Sequence, residues 1–421
     1  MNKSDFLVEA KARGFVFQCT DEAALDAACA AGVVAGYAGF DLTADSLHVG
    51  HMIPIMLLRL FQRHGHRPVA LMGGGTTRIG DPSFREEARQ LLSDEQIATN
   101  LVGIRKNIEA FISFGDGPGD AILVNNADWL DRLSYIDLLR DVGANFSVNR
   151  MLSFDSVKSR LERDQGLTFL EFNYSILQSY DFRELSRRHN VTLQMGGSDQ
   201  WGNIVSGIDL IRRTGQKTVF GLTTPLITTA SGAKMGKTVD GAVWLNAEMY
   251  KADDKWPFGY WQFWRNTADA DVGRFLRLFT ELPLREIERL EQRRGADINV
   301  AKKILATEAT TLLCGAADAE IAAAAALESF EGGGLSDSMP VVMVPRTTLN
   351  NWSNADVMVC ADFASSKSDA RRQIANGGFR INGVKISDGN ARADIPGAEA
   401  ELRRGILRRR LVVLDERGRP E

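Results

Sequence analysis

A chain of 421 residues is long enough for two to three domains of about 150 residues each. Apolar residues make up 44% and charged residues 25% of it, which excludes a globally disordered protein, and a net charge of −4 does not by itself indicate a nucleic-acid binder. The four cysteines lie far apart without metal-ligand spacing, so we expect reduced thiols rather than a disulfide framework or a zinc site.

The N-terminal 31 residues contain five acidic side chains and no apolar run of signal-peptide length, which argues against a secretory or transit peptide. No window approaches the roughly 18 to 20 apolar residues of a membrane-spanning helix. We therefore expect a cytoplasmic protein with no membrane segment.

The first half of the chain alternates short apolar runs with helical patterns. Three runs have the pattern of buried strands: Pro68–Met72, Ala121–Asn125 and Thr192–Met195. Ser93–Phe114 is typical of an amphipathic helix with Ser93 as N-cap and Gln96 as its capping-box partner. This alternation predicts a Rossmann-like α/β domain, with a parallel sheet and a ligand site at the carboxyl edge of its strands. A G-x-G-x-x-G dinucleotide motif is absent from the turns.

The first chemistry-bearing segment is Tyr37–His51, which ends in the sequence HVGH. Three polar residues could cap a helix that begins near Leu47: Thr43, Asp45 and Ser46. His48 and His51 would then share its first turn, where backbone N–H groups favour phosphate. Taken alone, an H-x-x-H pair is a weak signal, which a metal site or surface histidines would also explain. A zinc site would need a third ligand, and no other His or Cys stands within ten residues of the pair.

A second segment, Lys234–Thr238 (KMGKT), carries two lysines three residues apart between glycine-containing turns. Such a loop can act as a cationic clamp that stabilises the charge developing on a departing pyrophosphate. A short lysine loop on its own is more often solvated surface.

The second half of the chain predicts helices, a linker and a compact tail. Residues 253–330 are strand-poor and rich in helix-forming residues, and Glu331–Pro340 has the composition of a flexible linker. The tail predicts a helix at Ser368–Ala375, a strand at Phe379–Ile381 and a hairpin turn at Asn382-Gly383. From residue 365 onward there are 13 lysines and arginines but only eight aspartates and glutamates. This excess of positive charge fits either an RNA-binding surface or an ordinary solvated surface.

Taken together, the HVGH and KMGKT segments, about 185 residues apart, resemble the HIGH and KMSKS signatures of class I aminoacyl-tRNA synthetases. Four stretches narrow this to a resemblance to bacterial-type tyrosyl-tRNA synthetases that covers nearly the whole chain: Tyr37–His51, Gly80–Ser83, Tyr174–Asp181 and Gln194–Asn203.

The resemblance implies a role for each matching residue. Tyr37 and Asp181 would hydrogen-bond the phenol of a tyrosine substrate. The other tyrosine-binding residues would be Asp81, Tyr174, Gln178 and Gln200. The ATP-binding residues would be Gly39, Asp41, Thr43, His48, Gly50, His51, Gly197, Asp199, Lys234 and Lys237. The catalytic residues would be His48, His51, Lys234, Lys237 and Thr238, with ATP and Mg²⁺ as substrate and no permanently bound metal or cofactor.

These roles make chemical sense. A phenol donates one hydrogen bond and accepts another, and Asp181 with Tyr37 can satisfy both. A phenylalanine would leave both protein groups unpaired, a form of discrimination for which tyrosyl-tRNA synthetases are themselves the standard example. Pro54 departs from good helix chemistry, and we expect it to kink the helix or change its packing near ATP.

The tail resembles a small RNA-binding module first known from a ribosomal protein. The residues expected to contact RNA are Lys367, Arg371, Arg372, Arg380 and Lys385.

The predicted domain order is a catalytic domain over 1–222 with a helical insertion at about 129–190, a lysine segment over 223–250 and a helical tRNA-contacting domain over 251–330. A linker over 331–340 and an RNA-binding domain over 341–421 complete it. By the same resemblance the insertion helps to form a homodimer. The expected activity is a tyrosine–tRNA ligase whose partners are L-tyrosine, ATP and tRNA(Tyr). The alternatives are a tryptophanyl-tRNA synthetase or a non-catalytic RNA-binding or splicing factor with the same fold.

Overall fold

A computed structural model describes residues 4–81, 92–154, 157–158, 161, 167–215, 217–228, 230, 235, 237–238, 241–247, 256–331, 339–404 and 407–420. The chain forms two compact units, Met1–Lys251 with Gly259–Ala319, and Ala252–Phe258 with Glu320–Glu421. Within the described residues, no helix has the length and apolar character needed to cross a membrane. All four cysteines are free thiols.

The first unit is built on a six-stranded sheet. Its strands are β1 (Gln18–Cys19), β2 (Ala35–Phe40), β3 (Arg67–Met72), β4 (Ile122–Asn125), β5 (Val191–Gly197) and β6 (Phe220–Thr224). The strand order is β1-β6-β5-β2-β3-β4, with β1 antiparallel to β6 and every other pair parallel. The Rossmann-like α/β fold and the three strands predicted from sequence are thereby confirmed. A separate two-stranded hairpin pairs β7 (Lys237–Thr238) with β8 (Gly241–Ala242).

Helices surround this sheet and continue beyond it. They are α1 (Asp5–Arg13), α2 (Glu22–Ala31), α3 (Met52–Arg63), α4 (Asp94–Glu109), α5 (Ala127–Leu130), α6 (Tyr135–Asp137), α7 (Val148–Leu152), α8 (Phe169–Phe172), α9 (Tyr174–His189), α10 (Trp201–Arg213), α11 (Phe258–Arg265), α12 (Val272–Phe279), α13 (Leu284–Glu291), α14 (Ile298–Cys314) and α15 (Ala316–Glu331). The described residues 256–331 contain helices and no strand, which confirms the strand-poor pattern. In α12 the helical spacing buries Phe275, Leu278 and Phe279, and Trp264 packs on Phe279 with ring centroids 4.9 Å apart.

Helix α4 shows how local sequence sets an element. The Ser93 hydroxyl accepts from the Gln96 N–H at 3.3 Å, and the Gln96 side chain accepts from the Ser93 N–H at 3.1 Å. This reciprocal capping box satisfies two backbone donors at the helix start, as predicted. The helix ends at Glu109 rather than Phe114, because a tighter turn carries the chain from there towards β4.

The helix start at HVGH differs from the prediction. A short 3₁₀ helix, Val49–His51, precedes α3, and its N-cap is His48 rather than Thr43, Asp45 or Ser46. The Ser46 hydroxyl is engaged elsewhere, since it donates to the Leu47 carbonyl at 2.8 Å. The local cap signals were therefore overridden by tertiary contacts.

The second unit contains a five-stranded sheet packed on short helices. Its strands are β9 (Val341–Pro345), β10 (Phe379–Ile381), β11 (Val384–Ile386), β12 (Glu399–Arg404) and β13 (Leu407–Leu414), in the order β11-β10-β12-β13-β9. Its helices are α16 (Arg346–Leu349), α17 (Asn354–Cys360) and α18 (Lys367–Ala375). The predicted hairpin is confirmed, because Asn382 and Gly383, at φ 49° and 79°, join β10 to β11 in a two-residue turn. The central part of the predicted linker, residues 332–338, lies outside the described residues.

Candidate active site

A cavity of the first unit opens at the point where the strand order of the sheet reverses. From β2 the chain builds outward through β3 and β4, whereas β5 and β6 lie on the other side of β2. Ligands of open α/β sheets bind outside the carboxyl ends of the strands at such a switch point. A cavity of about 650 Å³ occupies this position and is lined by the ends of β2 and β5 and the segments that follow them.

Most of the residues singled out from the sequence line this one cavity. They are Tyr37, Gly39, Asp41, Thr43, His48, Gly50, His51, Asp81, Tyr174, Gln178, Asp181, Gly197, Asp199 and Gln200. Lys234 lies outside the described residues, and for Lys237 and Thr238 only the backbone of β7 is described. The cavity therefore brings the two predicted substrate regions together, while the lysine side chains stay a prediction.

Asp181 is a buried carboxylate held by two donors. The Trp129 indole N–H donates to its Oδ1 at 2.7 Å, and the Asn126 amide donates to its Oδ2 at 2.9 Å. Burial raises the pKa of Asp181 from 3.8 to about 7, against the opposing effect of the Asn126 and Trp129 hydrogen bonds. The carboxylate is thus fixed in orientation and titrates near neutral pH.

Tyr37 presents a buried hydroxyl to the same cavity. The side chain is 1% exposed, and its hydroxyl has no hydrogen-bond partner among the described residues. Burial first, and then the nearby charge of Asp181, raise the pKa of Tyr37 well above its ordinary value. A buried hydroxyl left unpaired costs about 1–3 kcal/mol, which a ligand hydroxyl in the cavity can recover.

A polar network forms another wall of the cavity. The Gln200 amide donates to Asp81 at 2.9 Å and to Asp199 at 3.2 Å. Asn203 donates to the side-chain oxygens of Gln178 at 3.0 Å and of Gln200 at 3.2 Å. Carboxylate and amide oxygens concentrated in this way suit a ligand ammonium, which offers only donors.

A carboxylate–phenol contact lies at the end of β2, where the Tyr174 hydroxyl donates to Asp41 at 3.3 Å. Within the described part of the chain, no group of three or more His, Cys, Asp or Glu side chains could hold a metal ion.

His48 and His51 lie side by side, with ring centroids 4.0 Å apart. The Gly50 N–H donates to Nδ1 of His48 at 3.0 Å, and the His48 N–H donates to Nδ1 of His51 at 3.3 Å. Because each Nδ1 accepts a hydrogen bond, the neutral form of each imidazole carries its proton on Nε2. Both rings thereby become donors suited to phosphate oxygens.

Two glycines and one proline fit the backbone at this edge. A Cβ on Gly50 would lie 2.8 Å from the Met235 carbonyl, and one on Gly197 would lie 2.3 Å from a carboxylate oxygen of Asp199. Pro54 is the third residue of α3, so its missing N–H falls in the first turn, where a helix has unpaired donors. The expected kink from a helix-interior proline does not apply there.

Sequence reasoning missed several residues of this site: Thr76, Asn126, Trp129, Gln194 and Trp244. Asn126 donates to both Thr76 and Asp181, and it accepts from the Gly75 N–H at 2.8 Å. The available signal was position, because Asn126 and Trp129 directly follow β4 at the carboxyl edge of a parallel sheet.

The predicted RNA-contacting residues all lie in the second unit. Lys367 pairs with Asp356 at 2.6 Å and Arg372 with Asp369 at 2.6 Å, while Arg371 is exposed on the same helix.

A cationic row crosses the sheet of this unit. Arg380 faces Lys385 on one neighbouring strand and Arg403 on the other. Like charges directly opposite one another disfavour a sheet, so an anionic partner on this row would relieve their repulsion.

The chain is similar to known proteins along most of its length. A profile of tRNA synthetases class I (W and Y) matches residues 31–331. The chain is 59% identical over 411 residues to a tyrosine–tRNA ligase of Gluconobacter oxydans, with 97% of each chain covered. It is 58% identical to one of Rhodospirillum rubrum, with 97% of this chain and 98% of the relative covered. Among solved structures, a C-terminally truncated mitochondrial tyrosyl-tRNA synthetase of Coccidioides posadasii is similar, with a TM-score of 0.65, 33% identity, and 77% of this chain and 92% of that chain covered.

Proposed function

The chain belongs to the class I tRNA synthetases of the tryptophan and tyrosine family, and from that premise we propose that its cavity activates L-tyrosine with ATP for transfer to tRNA(Tyr). The protein is a tyrosine–tRNA ligase, as its relatives of high identity are named over nearly their whole length. Solved tryptophanyl-tRNA synthetases share its fold at low sequence identity, so they do not support the alternative substrate.

One observation carries the choice of tyrosine. The cavity contains the carboxylate of Asp181 and the hydroxyl of Tyr37, which has no hydrogen-bond partner among the described residues, and both side chains are almost fully buried. A tyrosine phenol can donate to the carboxylate and accept from the hydroxyl, which satisfies all three groups at once. The α-ammonium of the substrate would lie against Asp81, Tyr174 and Gln178, with Gln200 beside the carboxylate.

Activation joins the tyrosine carboxylate to the α-phosphate of ATP. A carboxylate oxygen attacks that phosphorus, the bond to the bridging oxygen breaks, and pyrophosphate leaves with the electron pair. His48 and His51 would donate from Nε2 to phosphate oxygens, and the glycines near them would leave room for the nucleotide. ATP enters with Mg²⁺ as substrate, and alignment of the reactants supplies much of the rate.

Lys234 and Lys237 would stabilise the charge on the departing pyrophosphate. Support comes from their sequence pattern and from the strand pairing of β7 with β8, which follows β6 at the carboxyl edge of the sheet. In the second step a ribose hydroxyl of the terminal adenosine of the tRNA attacks the tyrosyl carbonyl, and AMP leaves.

The RNA partner would be contacted by the helical segment and by the second unit. In the domain order that we propose, with boundaries near residues 222, 250, 330 and 340, residues 341–421 form the RNA-binding domain. Lys367, Arg371 and Arg372 lie on α18, and Arg380 with Lys385 lies across the β10–β11 hairpin. Phosphate contacts of this kind position an RNA without reading its sequence. The free thiols also fit the cytoplasmic location that we propose.

A second copy of this chain would cover an apolar surface of the predicted insertion. Large apolar side chains are exposed along this stretch: Tyr135, Ile136, Leu139, Val148, Leu152, Phe169 and Leu170. Ile136 is 66% and Phe169 is 69% exposed, values that suit a surface covered in an assembly. Sedimentation of the purified protein should therefore give a dimer, and Ile136→Glu should give a monomer.

Amino-acid-dependent pyrophosphate exchange is the decisive test of the proposed function. Each of the twenty amino acids is supplied with ATP and labelled pyrophosphate, with and without tRNA. Only tyrosine should support exchange, and tRNA should not be needed for it. Exchange that responds to tryptophan, or exchange with no amino acid, would overturn the assignment. Lys237→Ala should slow exchange strongly while tyrosine binding, measured by equilibrium dialysis, stays close to that of the unmodified protein.

A further inference from the structure

We propose that Asn107 is a positioning residue for the activation step, which holds the segment before His48 in register with the segment that follows the lysine loop. This inference rests on the proposed function of the cavity. Asn107 does not line the cavity, and its effect would pass through the backbone that carries His48.

The side-chain amide of Asn107 makes three hydrogen bonds in the interior. The residue is 3% exposed and lies on α4. Its Oδ1 accepts from the Leu47 N–H at 2.7 Å and lies 3.2 Å from the Ser46 hydroxyl, whose single hydrogen it shares with the Leu47 carbonyl. Its Nδ2 donates to the Leu245 carbonyl at 3.1 Å. Only a side chain that both accepts and donates can make this set, which a carboxylate or an aliphatic group cannot.

The two segments that Asn107 joins are also paired with each other. The Leu245 N–H donates to the Leu47 carbonyl at 2.8 Å, and the Val49 N–H donates to the Val243 carbonyl at 2.9 Å. Between them His48 pairs with Trp244 in an antiparallel bridge, with ring centroids 6.0 Å apart. A ladder of two hydrogen bonds is short, so a buried side chain bonded to both strands adds much of its rigidity.

The face of α4 that carries Asn107 lies directly on the loop before His48. Asn100, seven residues earlier, donates to the Leu42 carbonyl at 2.7 Å. Gly103 lies between them on the same face, and a Cβ there would be 1.8 Å from the Asp45 carbonyl oxygen. The loop is therefore held at both ends by amides on one helix, with its middle in direct contact with that helix.

Loss of the Asn107 bonds would leave the Leu47 N–H and the Leu245 carbonyl buried without partners. The backbone would then shift to find new partners, and the His48 ring would move with it. A small displacement of a group that stabilises a transition state costs rate rather than substrate affinity. Asn107 bonds none of the residues assigned to tyrosine, since its partners are Ser46, Leu47 and Leu245, so tyrosine affinity should be preserved.

The test compares two substitutions in the full-length protein, Asn107→Ala and Asn107→Asp. Single-turnover formation of tyrosyl-adenylate is measured by rapid quench, and the dissociation constant for tyrosine by equilibrium dialysis. We expect the rate to fall about ten-fold or more in both variants, with tyrosine affinity within about two-fold of the unmodified protein. Asn107→Asp keeps the acceptor for Leu47 and loses the donor to Leu245, so it isolates the link between the segments and serves if the alanine variant fails to fold.

Asn100→Ala is the matched control, because it removes a buried amide from the same helix face without touching Leu245. Its loss of rate should be clearly smaller. An equal loss in Asn100→Ala would mean that general loosening of the loop is responsible, and would overturn the proposal.

A double-mutant cycle with His48→Ala tests the route of the effect. If Asn107 acts through His48, Asn107→Ala should cost little further rate once His48 is gone. The same fold-loss in both backgrounds would also overturn the proposal. Failure of the proposed function looks different, since the unmodified protein would then form no tyrosyl-adenylate at all.

Discussion

At the scale of single residues, the acidity of Asp181 links substrate recognition to pH. Burial raises the pKa of this carboxyl to about 7, while the Asn126 and Trp129 hydrogen bonds hold it down. A phenol donates best to the ionised form, so tyrosine binding should favour the carboxylate. A ligand that prefers the deprotonated form binds more tightly as pH rises and gains nothing further above the pKa.

We therefore predict that tyrosine affinity rises with pH up to about 7 and is level above it. In Trp129→Phe one stabilising donor is lost, so the midpoint should move to higher pH by about one to two units, because a hydrogen bond to a charge contributes about 1.5–3 kcal/mol and one pKa unit is about 1.4 kcal/mol. Equilibrium dialysis at a series of pH values measures both midpoints. Trp352→Phe, in the second unit, is the control and should leave the midpoint in place. An affinity independent of pH would contradict the proposed contact.

The unpartnered hydroxyl of Tyr37 leads to a second prediction. Tyr37→Phe removes a buried polar atom that has no partner in the described structure, so the melting temperature without ligand should stay the same or rise. Tyrosine affinity should fall by about 0.5–1.5 kcal/mol, and the preference over phenylalanine should narrow. Scanning calorimetry and equilibrium dialysis give the two quantities.

Tyr260→Phe provides the same chemical change outside the cavity. The Tyr260 hydroxyl is buried and donates to the Met52 sulfur at 3.2 Å, so its removal should lower stability slightly and leave tyrosine affinity intact. A marked loss of stability in Tyr37→Phe would show that its hydroxyl is bonded within the protein.

At the scale of elements, Arg13 is the last residue of α1, and its side chain caps the C-terminal end of α12. It is 4% exposed at the end of α1. Its guanidinium donates to the carbonyls of Arg277 at 3.2 Å, Thr280 at 3.0 Å and Leu282 at 2.9 Å, and to Glu9 at 2.6 Å. The last carbonyls of α12 have no partner within their own helix, so Arg13 supplies what the helix cannot.

Arg13→Ala should therefore lower the melting temperature by several degrees, since each buried carbonyl left unpaired costs about 1–3 kcal/mol. Arg13→Lys should recover only part of the loss, because an ammonium lacks the planar fork that reaches separate acceptors. Arg105→Ala, which breaks an exposed pair with Glu109, should change stability little. Thermal unfolding of the three variants decides the point, and equal losses in Arg13→Ala and Arg105→Ala would contradict it.

The same scale shows what could be predicted from sequence. The capping box of α4 and the Asn382-Gly383 turn were predictable, because their partners are three residues away or closer. The cap at His48 was not predictable, because the alternative cap, the Ser46 hydroxyl, is hydrogen-bonded to the Leu47 carbonyl and to Asn107. Asn107 lies 61 residues away from Ser46 in the chain. Local signals identify elements, whereas long-range partners decide which of several local options is used.

The candidate site divides in the same way. Residues that belong to a sequence motif, such as Tyr37, Asp181 and His48, were singled out from the sequence, and the structure has them lining one cavity. Trp129 and Asn126 were missed, because their importance comes from contact with Asp181, more than 50 residues away in the chain. When the pKa of a side chain depends on a residue distant in the chain, that dependence can be recognised only once the fold is known.

At the scale of the whole molecule, the candidate cavity and the row of cationic residues Arg380, Lys385 and Arg403 belong to separate compact units. We predict that Arg371→Gln leaves tyrosine-dependent pyrophosphate exchange unchanged and raises the KM for tRNA in aminoacylation. Each lost phosphate contact should also reduce the dependence of tRNA affinity on log salt concentration by roughly 0.7–0.9. Arg417→Gln makes the same charge change on an exposed turn and should leave both quantities unaltered. A parallel fall in exchange and aminoacylation would contradict this division of labour.

The hydrogen bond from the Trp129 indole to Asp181 also supplies a spectroscopic probe. Among seven tryptophans, its indole N–H is bonded at 2.7 Å to the carboxylate that would receive the substrate phenol. In a ¹⁵N-labelled sample that proton should resonate far downfield of solvent-exposed indoles and shift again as tyrosine arrives. Occupancy of the cavity could then be followed from one magnetic resonance signal, without an added fluorophore or a coupled assay.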